Sequence, residues 1–139
     1  MIPQKILVAF DGSIHSEKSF QYALETAKRF QASLLVLSVA PIPEFDIAVE
    51  MESVLESAQE HFEEQFKDLK KKAEVAGVSL TTEVVVGHPA EHIIRKAIDE
   101  KIDLIVVGHR GKSKIGEWLL GSVAKRVSSY APCAVTIVR

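Results

Sequence analysis

Two short glycine turns near the end of the chain carry the residue types that grip phosphate. Gly108-His-Arg-Gly111 is followed, after nine residues, by Gly121-Ser122. The first pair closes the apolar run Leu104-Ile-Val-Val107, which reads as a buried strand, and the second opens a pattern from Ser122 to Tyr130 that reads as a helix. Backbone N–H groups are free at a helix N-terminus, the helix dipole adds positive potential there, and glycine lets the main chain come close to a ligand. The chemistry implied is anion binding. Arg110, Lys112, Ser113 and Lys114 stand beside the turns, either to neutralise phosphate or as solvated side chains.

Two better-known phosphate signatures are absent. Gly111-Lys112-Ser113 looks like the end of a P-loop, but Val106 occupies the position where that motif needs its first glycine. After the first apolar run, Ile6-Leu-Val-Ala-Phe10, the chain reads Asp11-Gly12-Ser13, which is not the dinucleotide fingerprint. His88-Pro-Ala-Glu91-His92 has the residue order of one metalloprotease class. Pro89 suits the first position of a helix, however, which leaves His88 outside it, so the two imidazoles need not share a face. His15 and His61 read as surface or cap residues, and no metal ligands are expected. His109 alone falls inside the glycine loop, where it would touch phosphate or ribose or shuttle a proton; no nucleophile or carboxylate pairs with it recognisably, so no catalytic residue is assigned.

These residues must be positioned by a regular framework. Apolar segments predict strands near 5–10, 33–39, 79–86, 103–108 and 133–138, with helices near 15–31, 48–76, 89–100 and 121–130. Strand and helix alternate, which predicts an α/β fold with a parallel sheet. In the longest helix Met51, Val54, Leu55, Ala58, Phe62, Phe66, Leu69, Ala73 and Ala76 form one stripe, and Gly77 supplies a stop. Phe20, Ala23, Leu24, Ala27 and Phe30 do the same in the first helix, and Ala90, Ile93, Ile94, Ala97 and Ile98 in the third. Lys70-Lys-Lys72 near the end of the long helix reads as a solvated face that complements its dipole. Helices on both sides of the sheet require a reversal of strand order, and ligands bind at such a reversal, beyond the carboxyl ends of the strands.

Length and composition narrow the class. The 139 residues make a single domain, 1–139, and 47% hydrophobic residues suffice for a core without disulfides or metal. A net charge of −2 and 6% aromatic residues argue against nucleic acid as the main ligand. No apolar run approaches the roughly 20 residues of a membrane helix, and the first residues have no signal-peptide pattern. The lone Cys133 reads as a small buried hydrophobe, and the expectation is a reduced, cytoplasmic protein.

The glycine pattern, taken with Ile6-Leu-Val-Ala-Phe-Asp-Gly-Ser13 and Ala131-Pro-Cys-Ala-Val-Thr-Ile-Val138, resembles the universal stress protein family over essentially the whole chain. More narrowly, G-x-x-G, a nine-residue spacer and G-S resemble the ATP-binding branch. The resemblance implies a five-stranded parallel sheet of order 3-2-1-4-5, similar to the adenine nucleotide alpha hydrolases, with its reversal between strands 1 and 4. That order would set Asp11 opposite Gly108. It also implies that Gly108, Gly111, Gly121 and Ser122 meet phosphates and ribose, that Val123 donates a main-chain N–H, and that Ala9 and Val39 border adenine. Many relatives have proline where this chain has Ala9. Asp11 is either a turn former or a functional carboxylate whose partner is a ribose hydroxyl or Mg²⁺, and the family favours the ribose. The implied function is a nucleotide-dependent stress-response regulator that binds ATP, or AMP or ADP. A slow ATPase and a nucleotide-independent interaction module are the rivals. Pro41-Ile-Pro-Glu-Phe-Asp46 would border the site as a rim or lid, and strand 133–138, at the sheet edge, would pair two subunits into a homodimer.

Overall fold

The computed structural model describes residues 2–43, 50–111 and 119–139. In chain order the elements are β1 (Lys5–Ala9), α1 (Ile14–Phe30), β2 (Ser33–Ala40), α2 (Met51–Ala76), β3 (Leu80–Val86), α3 (Pro89–Asp99), β4 (Leu104–Gly108), α4 (Ser122–Tyr130) and β5 (Ala134–Val138). The five strands form one sheet in the order β3-β2-β1-β4-β5, all neighbours parallel. This is the expected α/β fold with the expected reversal: β1 pairs β2 on one side and β4 on the other.

The central strand shows why both faces need helices. Ile6, Val8 and Phe10 point into one apolar layer with α1 and α2, whereas Leu7 points into the other with α3 and α4. Phe10, Phe62 and Phe66 meet in the first layer, with ring centroids 5.6 to 6.4 Å apart. Burying each such side chain contributes about 1.5–3 kcal/mol.

Local chemistry sets the element ends. Ser13 caps α1, its Oγ accepting the Ser16 N–H at 3.2 Å. Gly77 ends α2 in the left-handed conformation, φ 71°. Pro89 begins α3 and leaves His88 outside it as the N-cap. His92 lies with its ring against Gly87, and among the described residues no group of three or more His, Cys, Asp or Glu is placed to hold a metal.

Several boundaries and burials differ from the expectation. β1 stops at Ala9 rather than Phe10, and β5 begins at Ala134 rather than Cys133. The start expected for the long helix, 48–49, lies outside the described residues. Phe30, Met51 and Ile98 fall on the predicted stripes but are exposed, each at or next to a helix end. Cys133 is half-buried and precedes the strand; burial and the Asp103 charge push its thiol pKa up. Among the described residues no helix is long and apolar enough to cross a membrane.

Candidate functional site

The reversal between β2-β1 and β1-β4 opens a cleft at the carboxyl ends of the strands. Its walls come from four places: Ala9 at the end of β1 with Phe10 and Asp11 after it, Leu37 and Val39 on β2, Val107 and Gly108 at the end of β4 with Arg110 and Gly111 after it, and Gly121 to Ala124 at the start of α4. Ser16 of α1 and Pro89 and Ile93 of α3 complete it. The inner surface is mainly apolar, and the polar side chains among its described residues are Asp11, Ser16, Arg110 and Ser122.

Asp11 performs two jobs visible in the geometry. One carboxylate oxygen accepts the Ser13 N–H at 2.9 Å, an Asx turn that takes the chain from β1 into α1. The other faces the first glycine turn, since a Cβ built on Gly111 would lie 2.7 Å from Asp11 Oδ2. Residues a hundred positions apart in the chain are thereby adjacent.

The glycines are explained first by protein packing. A Cβ on Gly108 would meet the Cβ of His15 at 2.9 Å and the Arg110 carbonyl oxygen at 3.1 Å. A Cβ on Gly121 would meet the His109 carbonyl oxygen at 3.2 Å and Arg110 Cα at 3.3 Å. The Gly121 N–H also donates to the His109 carbonyl at 2.9 Å. The two glycine turns are thus laid backbone against backbone, and that contact aims the start of α4 into the cleft. Gly121 is the N-cap of α4, without a side-chain cap, so the N–H groups of the first turn are left for a ligand.

His109 does not join this surface. Its side chain is buried, its N–H donates to the Val138 carbonyl, and its carbonyl receives Gly121, so the residue clamps β4, β5 and α4 together. Burial lowers its pKa, and Arg139, His15 and Arg110 lower it further. Of the residues expected at the site, Ala9, Asp11, Val39, Gly108, Arg110, Gly111, Gly121, Ser122 and Val123 line the cleft, and His109 is not among the lining residues. Lys112, with Ser113 and Lys114, lies outside the described residues, as does 44–46 of the expected rim. Sequence reading missed Phe10, Ser16, Leu37, Pro89, Ile93, Val107 and Ala124, whose apolar or small side chains carry no mark that separates cleft lining from core.

The main chain of β2 adds a polar edge. The Phe10 N–H donates to the Leu37 carbonyl at 3.0 Å, so Leu37 directs its backbone groups toward β1. In a parallel ladder every second residue faces the same neighbour, so Val39 faces that side too. There β1 has already ended, and the Val39 N–H and carbonyl are turned toward the cleft that Val39 lines.

The universal stress protein family model matches residues 3–139. A universal stress protein of Methanocaldococcus jannaschii is 37% identical over 139 residues, covering 98% of this chain and 82% of that protein. The structure of the universal stress protein UspA from Lactobacillus plantarum superposes with a TM-score of 0.91 at 26% identity, covering 100% of this chain and 99% of the other. A universal stress protein crystallised in complex with cAMP has a TM-score of 0.77 at 26% identity, covering 100% of this chain and 99% of its own.

Proposed function

The chain belongs to the universal stress protein family, and on that premise we propose that it binds an adenine nucleotide, ATP in the first place, and acts as a nucleotide-dependent stress-response regulator. The observation that carries the reading is the convergence, around one apolar cleft at the sheet reversal, of an uncapped helix N-terminus at one end and the unpaired backbone edge of Val39 at the other. The base enters the apolar slot between Ala9, Leu37 and Val39, the ribose meets Asp11, and the phosphates meet Gly111, Ser122 and the Val123 N–H, with Arg110 supplying charge. Support from outside the chain comes from the relative solved with cAMP.

Adenine is preferred over guanine for a reason that lies in Val39. One residue presents a donor N–H and an acceptor carbonyl side by side. Adenine answers with an acceptor at N1 and a donor amine at C6, whereas guanine carries N1–H and O6, the reverse polarity. A mismatched edge leaves polar groups unpaired, which costs about 1–3 kcal/mol each.

Binding rather than turnover is the primary activity. The only carboxylate among the described cleft residues is Asp11, one of whose oxygens is already engaged by Ser13, and His109 is buried and does not line the cleft. Among the described cleft residues no general base is therefore set up for fast hydrolysis.

β5 is an edge strand that leaves the outward N–H and carbonyl of Val135 and Ile137 without a neighbouring strand, and we propose that a second subunit pairs with it in a homodimer. Mass spectrometry of nucleotide released from purified protein, followed by calorimetric titration with ATP, tests the function. Protein that holds no adenine nucleotide and gives no heat with ATP, ADP, AMP or cAMP overturns it.

A further inference from the structure

We infer that Ser38 is the positioning residue that keeps the base-reading edge of the cleft open, an inference that rests on the nucleotide reading above. Ser38 is fully buried in β2, and its hydroxyl donates to the Phe10 carbonyl at 2.6 Å. It is a fully buried polar side chain of the sheet, and its hydrogen bond falls at the place where β1 and β2 part company.

Ladder arithmetic gives that bond its meaning. The pairing Ala9↔Leu37, with the Phe10 N–H on the Leu37 carbonyl, is the last rung between the two strands. One rung further, a parallel ladder would bring the Val39 N–H onto the Phe10 carbonyl. That carbonyl is instead taken by Ser38. The chain then leaves β1 through the Asp11 turn, in which Asp11 Oδ1 holds the Ser13 N–H and Gly12 adopts φ 84°. Phe10 is itself buried, so its carbonyl requires a donor. Ser38 supplies the donor from within β2 and leaves the Val39 N–H and carbonyl to the base.

Without the hydroxyl the nearest replacement is the Val39 N–H, because a buried carbonyl without a partner costs more than a local shift of one rung. The ladder would extend, and the edge that tells adenine from hypoxanthine would close. Ser38 touches no ligand. It acts through Phe10 and Val39, on base selection and not on the phosphate end of the site.

The test compares wild type with Ser38→Ala and Ser38→Thr by amide hydrogen exchange at Val39 in nucleotide-free protein and by calorimetric Kd values for ATP and ITP. In wild type the Val39 amide exchanges readily and becomes protected with ATP. In Ser38→Ala it is protected without ligand, and the preference for ATP over ITP shrinks by about two- to tenfold, the range of one neutral hydrogen bond. Ser38→Thr keeps both wild-type behaviours. A general packing defect would weaken ATP and ITP equally and leave their ratio unchanged. Unchanged Val39 exchange together with an unchanged ratio in folded Ser38→Ala overturns the inference. A wild type that binds neither nucleotide overturns the nucleotide reading, and the exchange comparison of nucleotide-free proteins then still decides whether Ser38 holds the Val39 edge open.

Discussion

Substituting Gly121 by valine tests the link between packing and binding most directly. The added Cβ would stand 3.2 Å from the His109 carbonyl oxygen and 3.3 Å from Arg110 Cα. Both obstacles are main chain, so neither can rotate away as a side-chain tip would, and the two γ-methyls of valine add to the crowding. The start of α4 must move off the 109–111 turn, and the Gly121 N–H bond to His109, 2.9 Å long, is lost or lengthened. The cost to the fold is about 1 kcal/mol for that bond, a fall of about 2–5 °C in Tm. The cost to binding is larger, because the first-turn N–H groups of α4 are then no longer aimed at the phosphates. Each hydrogen bond to a charged group is worth about 1.5–3 kcal/mol, so losing one weakens ATP affinity by about tenfold to 150-fold. Gly121→Ala, with a single methyl, should show a smaller loss in the same direction. Isothermal calorimetry with ATP, run beside thermal unfolding, separates the two effects. A folded Gly121→Val protein that binds ATP as tightly as wild type would refute the reasoning from helix aim to phosphate affinity.

The other predictions address the remaining walls of the cleft and the sheet edge. Asp11→Asn retains an acceptor for the Ser13 N–H, so thermal stability should hold while ATP affinity falls several-fold, equally with Mg²⁺ or EDTA; a loss confined to the Mg²⁺ titration would assign the carboxylate to a metal. Because the folded-state pKa of His109 lies below the ordinary 6.5, the unfolded chain binds more protons between those two values. Denaturant unfolding should accordingly show stability level above pH 6.5 and declining as pH drops from 6.5 toward the folded value, with the decline reduced in His109→Gln; an identical pH profile in the variant contradicts it. Steady-state ATP turnover should fall far below the roughly 10 s⁻¹ typical of enzymes, and a rate near that value would promote the hydrolase reading. In β5 the Val138 carbonyl faces β4 through His109, so by alternation the Ile137 N–H faces the open edge while that of Thr136 faces β4. Ile137→Pro should therefore dissociate the dimer and leave a folded monomer, whereas Thr136→Pro damages the sheet itself; light scattering that finds Ile137→Pro as dimeric as wild type would show that this edge is not the interface.

Periodicity and local chemistry carried most of the fold. Hydrophobic spacing marked five strands and four helices, and Gly77 and Pro89 marked where helices stop or start, because capping and backbone preference depend on residues within one turn. The glycine turns were equally legible as a pair. What the pair touches was not, since Asp11 comes beside Gly111 only through the sheet order that sets Ile6 against Leu104. The same limit explains where the structure departs from the pattern. A stripe shows which side of a helix is apolar but not how far the sheet beneath it extends, so Phe30 and Ile98 were expected inside and stand in solvent. His109 sits in the glycine loop by sequence, yet its backbone N–H is held by Val138 on β5 and its buried side chain is not part of the cleft lining. The Val39 edge depends on where a strand from elsewhere in the chain ends and on a serine hydroxyl that captures that strand's last carbonyl. Side-chain pattern is a one-dimensional property. The supply of unpaired backbone groups is set by which strands lie side by side, and only the tertiary structure decides that.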